Sequence, residues 1–179
     1  MIELRRWVAA DVPALVDAYA DPVLRAGTRL HCTTPAEASA WIAMHDEGWA
    51  AGTRYGFAVV KDALVLGTVA LKRPDPAGPR GEVGYWTVAA ARGRGVAPRA
   101  VGLLTGWAFV EFPGLAAIDL FHRLGNPASC RVAVKSGYRY AETLPPEAPG
   151  RDGGHRHVRA RGAAANPGQA VPAPGRVVL

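Results

Sequence analysis

Residues Arg92-Gly93-Arg94-Gly95-Val96-Ala97 hold two glycines, two arginines and nothing bulky, and they lie between an alternating apolar run and a long amphipathic one. A strand that stops and a helix that begins at such a point leave several amide N–H groups aimed the same way without partners. The helix dipole adds about half a positive charge there. The chemistry on offer is anion binding. Gly93 and Gly95 permit φ > 0 and remove side chains that would hold a phosphate off the amides, while Arg92 and Arg94 add charge at the rim. Strand-to-helix turns also use glycine simply to turn, and two glycines alone leave both readings open. Two other phosphate loops do not fit. A P-loop needs Gly-Lys-Ser/Thr at the helix start, where this chain has Gly95-Val96-Ala97. The dinucleotide fingerprint G-x-G-x-x-G has Pro98 at its third glycine and lacks the βαβ order before it.

Among the titratable and nucleophilic side chains, His122 stands at the end of an apolar run and titrates near neutrality, as a general base must. A single histidine at a strand end is also ordinary surface. His31, His45, His155 and His157 have no stronger claim; His155-x-His157 is too sparse a pattern for a metal, and no metal is expected. Cys32 and Cys130 show no metal-type spacing and are too few for a disulfide framework, which suits free thiols in a reducing, cytoplasmic compartment.

The elements that must carry these residues follow from periodicity and punctuation. Ile2 to Trp7 alternates, and Asp11-Val12-Pro13 opens a helix to about Tyr19 with Asp as its cap. Thr34-Pro35-Ala36-Glu37 is a capping-box signal for a second helix to about Trp49. Tyr55–Lys61 and Val65–Lys72 read as a hairpin around Asp62-Ala63-Leu64, and Glu82–Val88 as the strand before the glycine turn. Ala97, Ala100, Val101, Leu104, Ala108 and Phe112 recur at helical spacing. Ala116–His122 predicts a strand, Asn126-Pro127 a helix to about Ser136, and Tyr138–Thr143 and His155–Arg161 the closing strands. One domain is expected over residues 1–162. From Ala163 the Ala/Pro/Gly-rich text reads as a flexible tail to residue 179.

Arg92 to Ala97 fits Q/R-x-x-G-x-G/A, and Asn126-Pro127-Ala128-Ser129 leading to Lys135-Ser136-Gly137-Tyr138 fits N-x-x-S followed by K-x-G-F/Y. On these two motifs the chain resembles the GNAT acyltransferase superfamily, and the strand text Gly81–Trp86 (GEVGYW) is most similar to its Rim-type branch. The resemblance covers roughly Ile2 to Arg161. It implies a mixed, mostly antiparallel α/β fold: a six- to seven-stranded sheet, about four helices, and central strands that splay into an acetyl-CoA cleft. Acetyl-CoA is implied as cosubstrate. Arg92, Gly93, Arg94, Gly95, Val96 and Ala97 would meet its pyrophosphate, Pro98 having no N–H to give, and Asn126 would meet its pantetheine, which lies in the cleft like an extra strand. Histone-acetylating relatives place a glutamate base near Glu82, with a one-residue offset here; the alternative is a solvated strand end. Many members protonate the leaving thiolate with a tyrosine seven positions after the asparagine. That place is Ala133, so the role shifts to Ser129, as in Rim-type relatives, to Tyr138 or to water. Asn126 and Ser129 also suit plain helix capping. Trp41, Trp49, Tyr85 and Trp86 are candidates for an acceptor pocket or for core.

The implied reaction is direct attack of a primary amine on the thioester, with no covalent enzyme intermediate. An α-amine (pKa about 8) is roughly a tenth neutral at pH 7, whereas a lysine (about 10.4) needs some three kcal/mol more. A protein N-terminus therefore needs only a modest base; aminoglycosides, polyamines and amino acids are the other acceptors to weigh. The alternative is an acyl-CoA-binding regulatory module that kept the loop and lost the acid at Ala133.

Composition excludes other classes. The net charge of +6 comes from 18 arginines and three lysines dispersed along the chain, without the clustered charge and interleaved aromatics of a nucleic-acid face. The longest apolar stretch, near Val101 to Phe112, is interrupted and short of the roughly 20 residues that cross a bilayer, and MIELRRWVAADVP does not read as a signal peptide. No membrane is expected; a homodimer stays open.

Overall fold

The Thr34 signal acts as its residue types dictate. The Glu37 amide donates to Thr34 Oγ1 at 3.2 Å, and Glu37 Oε2 takes the Thr33 and Thr34 amides at 2.8 and 3.0 Å. In the computed structural model, which describes residues 1–73, 75–146, 153–163 and 176–178, the chain runs β1 (Glu3–Arg5), α1 (Val12–Tyr19), α2 (Pro22–Gly27), α3 (Pro35–Ala51), β2 (Arg54–Lys61), β3 (Leu64–Lys72), β4 (Arg80–Thr87), α4 (Val96–Glu111), β5 (Ala117–Arg123), α5 (Pro127–Lys135), β6 (Arg139–Leu144), β7 (Gly154–Ala160) and β8 (Arg176–Val178). Short 3-10 turns at Ala9–Asp11 and Ala89–Ala91 lead into α1 and the glycine turn. Among the described residues no helix is long and apolar enough to cross a membrane.

One sheet takes all eight strands in the order β6-β7-β5-β4-β3-β2-β1-β8. Its pairings are antiparallel except β4 with β5 and β1 with β8. Asp62 and Ala63, at φ 51° and 64°, make the two-residue turn that joins β2 to β3. Alternation along the strands feeds two cores. Phe57, Val69, Leu71, Leu120 and Leu104 pack together with α4 on one face, and Trp7, Tyr19, Trp41, Ile42 and Ala58 pack with α1–α3 on the other.

The fold matches the expected mixed α/β class, with eight strands and five helices among the described residues where six to seven and about four were expected, α2 and β8 being the additions. Asp21 accepts the Val23 amide at 2.9 Å and starts the unpredicted α2 at Pro22. The tail expected from Ala163 falls largely outside the described residues. Residues 164–175 lie outside the described ones, but Arg176–Val178 form β8 in parallel register with β1 (Leu4 opposite Val177), and Val177 packs against the larger core. A β-branched run beside an open edge strand gains a ladder that the Pro/Gly-rich text before it cannot supply. Asp11 does not cap α1 with its side chain; its buried carboxylate accepts two bonds from Arg5 (2.7 and 2.8 Å) and one from the Val8 amide (3.0 Å). A charge-assisted bidentate pair outweighs one cap bond.

Candidate functional site

β4 and β5 pair in parallel only from Arg80–Val83 against Ala117–Leu120. Beyond that point β4 continues to Thr87 and β5 to Arg123 without a shared ladder, so the sheet opens as a V. The cleft at its mouth has a volume of about 410 Å³ and is walled by the end of β4, the glycine turn, the start of α4, and α5. Gly93, Gly95, Val96, Ala97, Asn126 and Ser129 all line it, as the sequence predicts for the loop and the second motif.

Gly95 is the left-handed N-cap of α4 (φ 75°), and Gly93 repeats the conformation (φ 72°). A Cβ added at either would meet no atom within 4 Å. These glycines therefore answer a demand of backbone conformation, not crowding inside the protein. The first-turn amides of α4, those of Val96 and Ala97, have no acceptor earlier in the helix and belong to residues that line the cleft, the makings of an anion seat. Arg92 lines the cleft and is held by Asp21 at the start of α2, whereas exposed Arg94 lies off the lining. Arg131 and Lys135, four residues apart on α5, add two cations to the same wall, and among the described residues no carboxylate lines it. Arg131 went unremarked in the sequence; its i, i+4 spacing from Lys135 was the available signal.

Ser129 sits in the first turn of α5, where its amide donates to Asn126 Oδ1 at 3.1 Å, so the capping role of Asn126 is real. That bond fixes the turn and leaves Ser129 Oγ free to meet Tyr85 Oη at 2.6 Å. Burial raises the Tyr85 pKa, partly offset by the bond to Ser129, and keeps the phenol protonated. Tyr85 and Trp86 line the cleft, while Trp41 and Trp49 belong to the cores. Tyr138 is fully buried, with its hydroxyl 2.7 Å from Thr105 Oγ1, and Ala133 is buried below the α5 backbone.

The two base candidates lie elsewhere. Glu82 stands at the closed end of the V, opposite Asp119, with Oε1 2.5 Å from Lys72 Nζ; it does not line the cleft. His122 is buried near the end of β5, also off the lining. Its Nδ1 is 2.9 Å from the Arg123 carbonyl and its Nε2 is 3.2 Å from His157 Nε2. The expectation that His155 and His157 are too sparse for a metal considered these two residues alone; the fold gathers two more beside them. β5 and β7 pair with His122 opposite His155, His157 follows on the same face, and α5 lays Cys130 over them. One ligand atom from each of these four residues lies within 4.8 Å of every other. Desolvation, then the neighbouring His122 and His155, lower the His157 pKa and keep its ring neutral.

The comparisons agree with this geometry. The fold is similar to RimL, a ribosomal L7/L12 α-N-protein acetyltransferase solved with coenzyme A, with a TM-score of 0.81 at 16% identity over 89% of this chain and 93% of that one. It is similar to the microcin C7 self-immunity acetyltransferase MccE, solved with acetyl-CoA and AMP (TM-score 0.80, 13% identity, 89% and 92% covered). A third likeness is to the ribosomal-protein-S5-alanine acetyltransferase of Vibrio fischeri (TM-score 0.74, 18% identity, 88% and 91% covered). No curated protein matches the chain. The acetyltransferase (GNAT) domain profile matches residues 2–139, most of the chain, and with the splayed strands and glycine turn already described, the chain belongs to the GNAT acetyltransferase family.

Proposed function

We propose that this protein is an acetyl-CoA-dependent N-acetyltransferase that delivers acetyl to a primary amine by direct attack. The observation that carries the reading is the 2.6 Å contact between Tyr85 Oη and Ser129 Oγ inside the cleft that the α4 amides floor. In the reaction the amine nitrogen bonds to the thioester carbonyl carbon, the C–S bond breaks, and the sulfur needs a proton. A serine hydroxyl is a poor acid alone. Here Ser129 gives its proton to the thiolate as Tyr85 gives its own to Ser129, so the charge ends on a phenol rather than on an alkoxide, and the proton shed by the attacking nitrogen leaves to solvent, from which Tyr85 is reprotonated. The amides from Arg94 to Ala97, across the glycine turn and the first turn of α4, with Arg92, Arg131 and Lys135, hold the polyanionic part of the donor.

The acceptor is best read as an α-amine. With Glu82 tied to Lys72 at the closed end of the V, no carboxylate lines the described cleft, which suits an amine that reaches its neutral form near pH 7 and disfavours a polycation. RimL and the S5-alanine enzyme, by their names, act on ribosomal proteins; the same acceptor class is a fair first choice for this chain. Cys130 is not needed as a nucleophile.

A panel of peptides with free N-termini, polyamines and aminoglycosides, assayed by thiol release, tests the reading. Ser129→Ala and Tyr85→Phe should each lower kcat roughly 10- to 100-fold while the KM for acetyl-CoA stays within about twofold. Unchanged kcat in both variants would remove the relay. Acetyl-CoA binding without turnover on any amine would leave the regulatory module as the better description.

A further inference from the structure

We propose that His122, His155, His157 and Cys130 bind one zinc-type divalent ion, with three imidazoles and a thiolate as ligands beneath the first turn of α5. Their ligand atoms come from β5, β7 and α5 and lie within 4.8 Å of one another. Four-coordinate zinc with nitrogen at about 2.0–2.1 Å and sulfur at about 2.3 Å sets its ligand atoms roughly 3.3–3.7 Å apart. His122 Nε2 and His157 Nε2 already stand at 3.2 Å. Closing the widest pair takes at most about 1–1.5 Å. That movement falls to His155 and Cys130, which are only partly buried and can turn about their side-chain bonds.

The protons agree with the distances. A carbonyl only accepts, so in the neutral His122 ring the proton sits on Nδ1, 2.9 Å from the Arg123 oxygen. Nε2 then presents a lone pair to the centre of the cluster, and the Nδ1 bond to a backbone carbonyl is the usual outer support of a ligating histidine. A single N–H from His157 could satisfy that one contact. It would leave the Cys130 thiol and the His155 ring converging on the same point unused, with His155 Nδ1 buried and unpartnered among the described residues. The donor set selects the metal: a thiolate with imidazoles suits zinc or cobalt, whereas magnesium and calcium want oxygen.

The ion would fix the first turn of α5, because Cys130 follows Ser129 directly and is thereby tied to β5 and β7. Its role is positioning, and it removes His122 from the list of bases. The test uses untagged full-length protein, stripped with a chelator and titrated with Zn²⁺ and, separately, Co²⁺. One ion per chain by elemental analysis is expected, with tetrahedral cobalt d–d bands and a thiolate-to-cobalt charge-transfer band. Cys130→Ser, whose folding circular dichroism checks, should lose that charge-transfer band and at least tenfold in affinity; His157→Gln should lose at least as much affinity. An octahedral cobalt spectrum, a substoichiometric ion, or an unaltered spectrum and affinity in folded Cys130→Ser would overturn the site.

Discussion

His45 lies 3% exposed on α3, its ring 4.0 Å from that of Trp41, with Nδ1 unpartnered among the described residues. Burial, then the charge of Arg54, pulls its pKa down to about 4, against a weaker upward pull from Asp46. Between that value and the unfolded pKa of about 6.5 the unfolded chain binds the extra proton, so stability is full above about pH 6.5 and falls as pH drops towards 4. The loss is on the order of 3 kcal/mol. Thermal melts across that interval should show it, and His45→Leu should flatten the slope; an equally steep curve in the variant would assign the acid sensitivity to another group. At this scale the sequence was legible where a residue type answers a local backbone demand, as Gly93 and Gly95 do. It was illegible where chemistry arises from contact at a distance. Tyr85 and Ser129 are 44 residues apart and His122 and His157 are 35 apart, so only the sheet and α5 bring each pair together.

On the proposed function, donor binding rests on the start of α4. Gly95→Glu puts a carboxylate where the phosphates should lie and forces a side chain into the left-handed region, at about 1–2 kcal/mol in stability. The room around Gly95 lets the fold survive. Calorimetry should find acetyl-CoA affinity reduced roughly 100-fold or more, about 2.7 kcal/mol, with a melt lowered only modestly. Undiminished affinity would separate the glycine turn from the donor. Helices with strong caps were readable from sequence almost to the residue: α3 starts at the predicted Pro35 and α5 at the predicted Pro127. The six-residue α2 was missed although Asp21-Pro22 carries the same kind of signal, because so short a run shows no apolar periodicity.

Across the whole molecule, β8 sits at the far end of the sheet order from β5–β7 and four strands from β4. Replacing Val177, partly buried against the larger core, by Asp should lower stability by about 1–2 kcal/mol and leave acetyl transfer at permissive temperature unchanged. A change in kcat with an unaltered melt would refute that separation. The order of strands and helices was legible because its punctuation is local, whereas the strand Arg176–Val178 was not, since so short a run acquires a conformation only from the neighbour it joins. Tyr85 and Trp86, consecutive on β4, face opposite sides of the sheet: the first meets Ser129, the second leans on Trp7 and Tyr19. A strand moves as one body, so any retuning of the aromatic floor beneath Trp86 also displaces the phenol above it; on the proposed relay, selectivity and turnover would be geared together and would change in step.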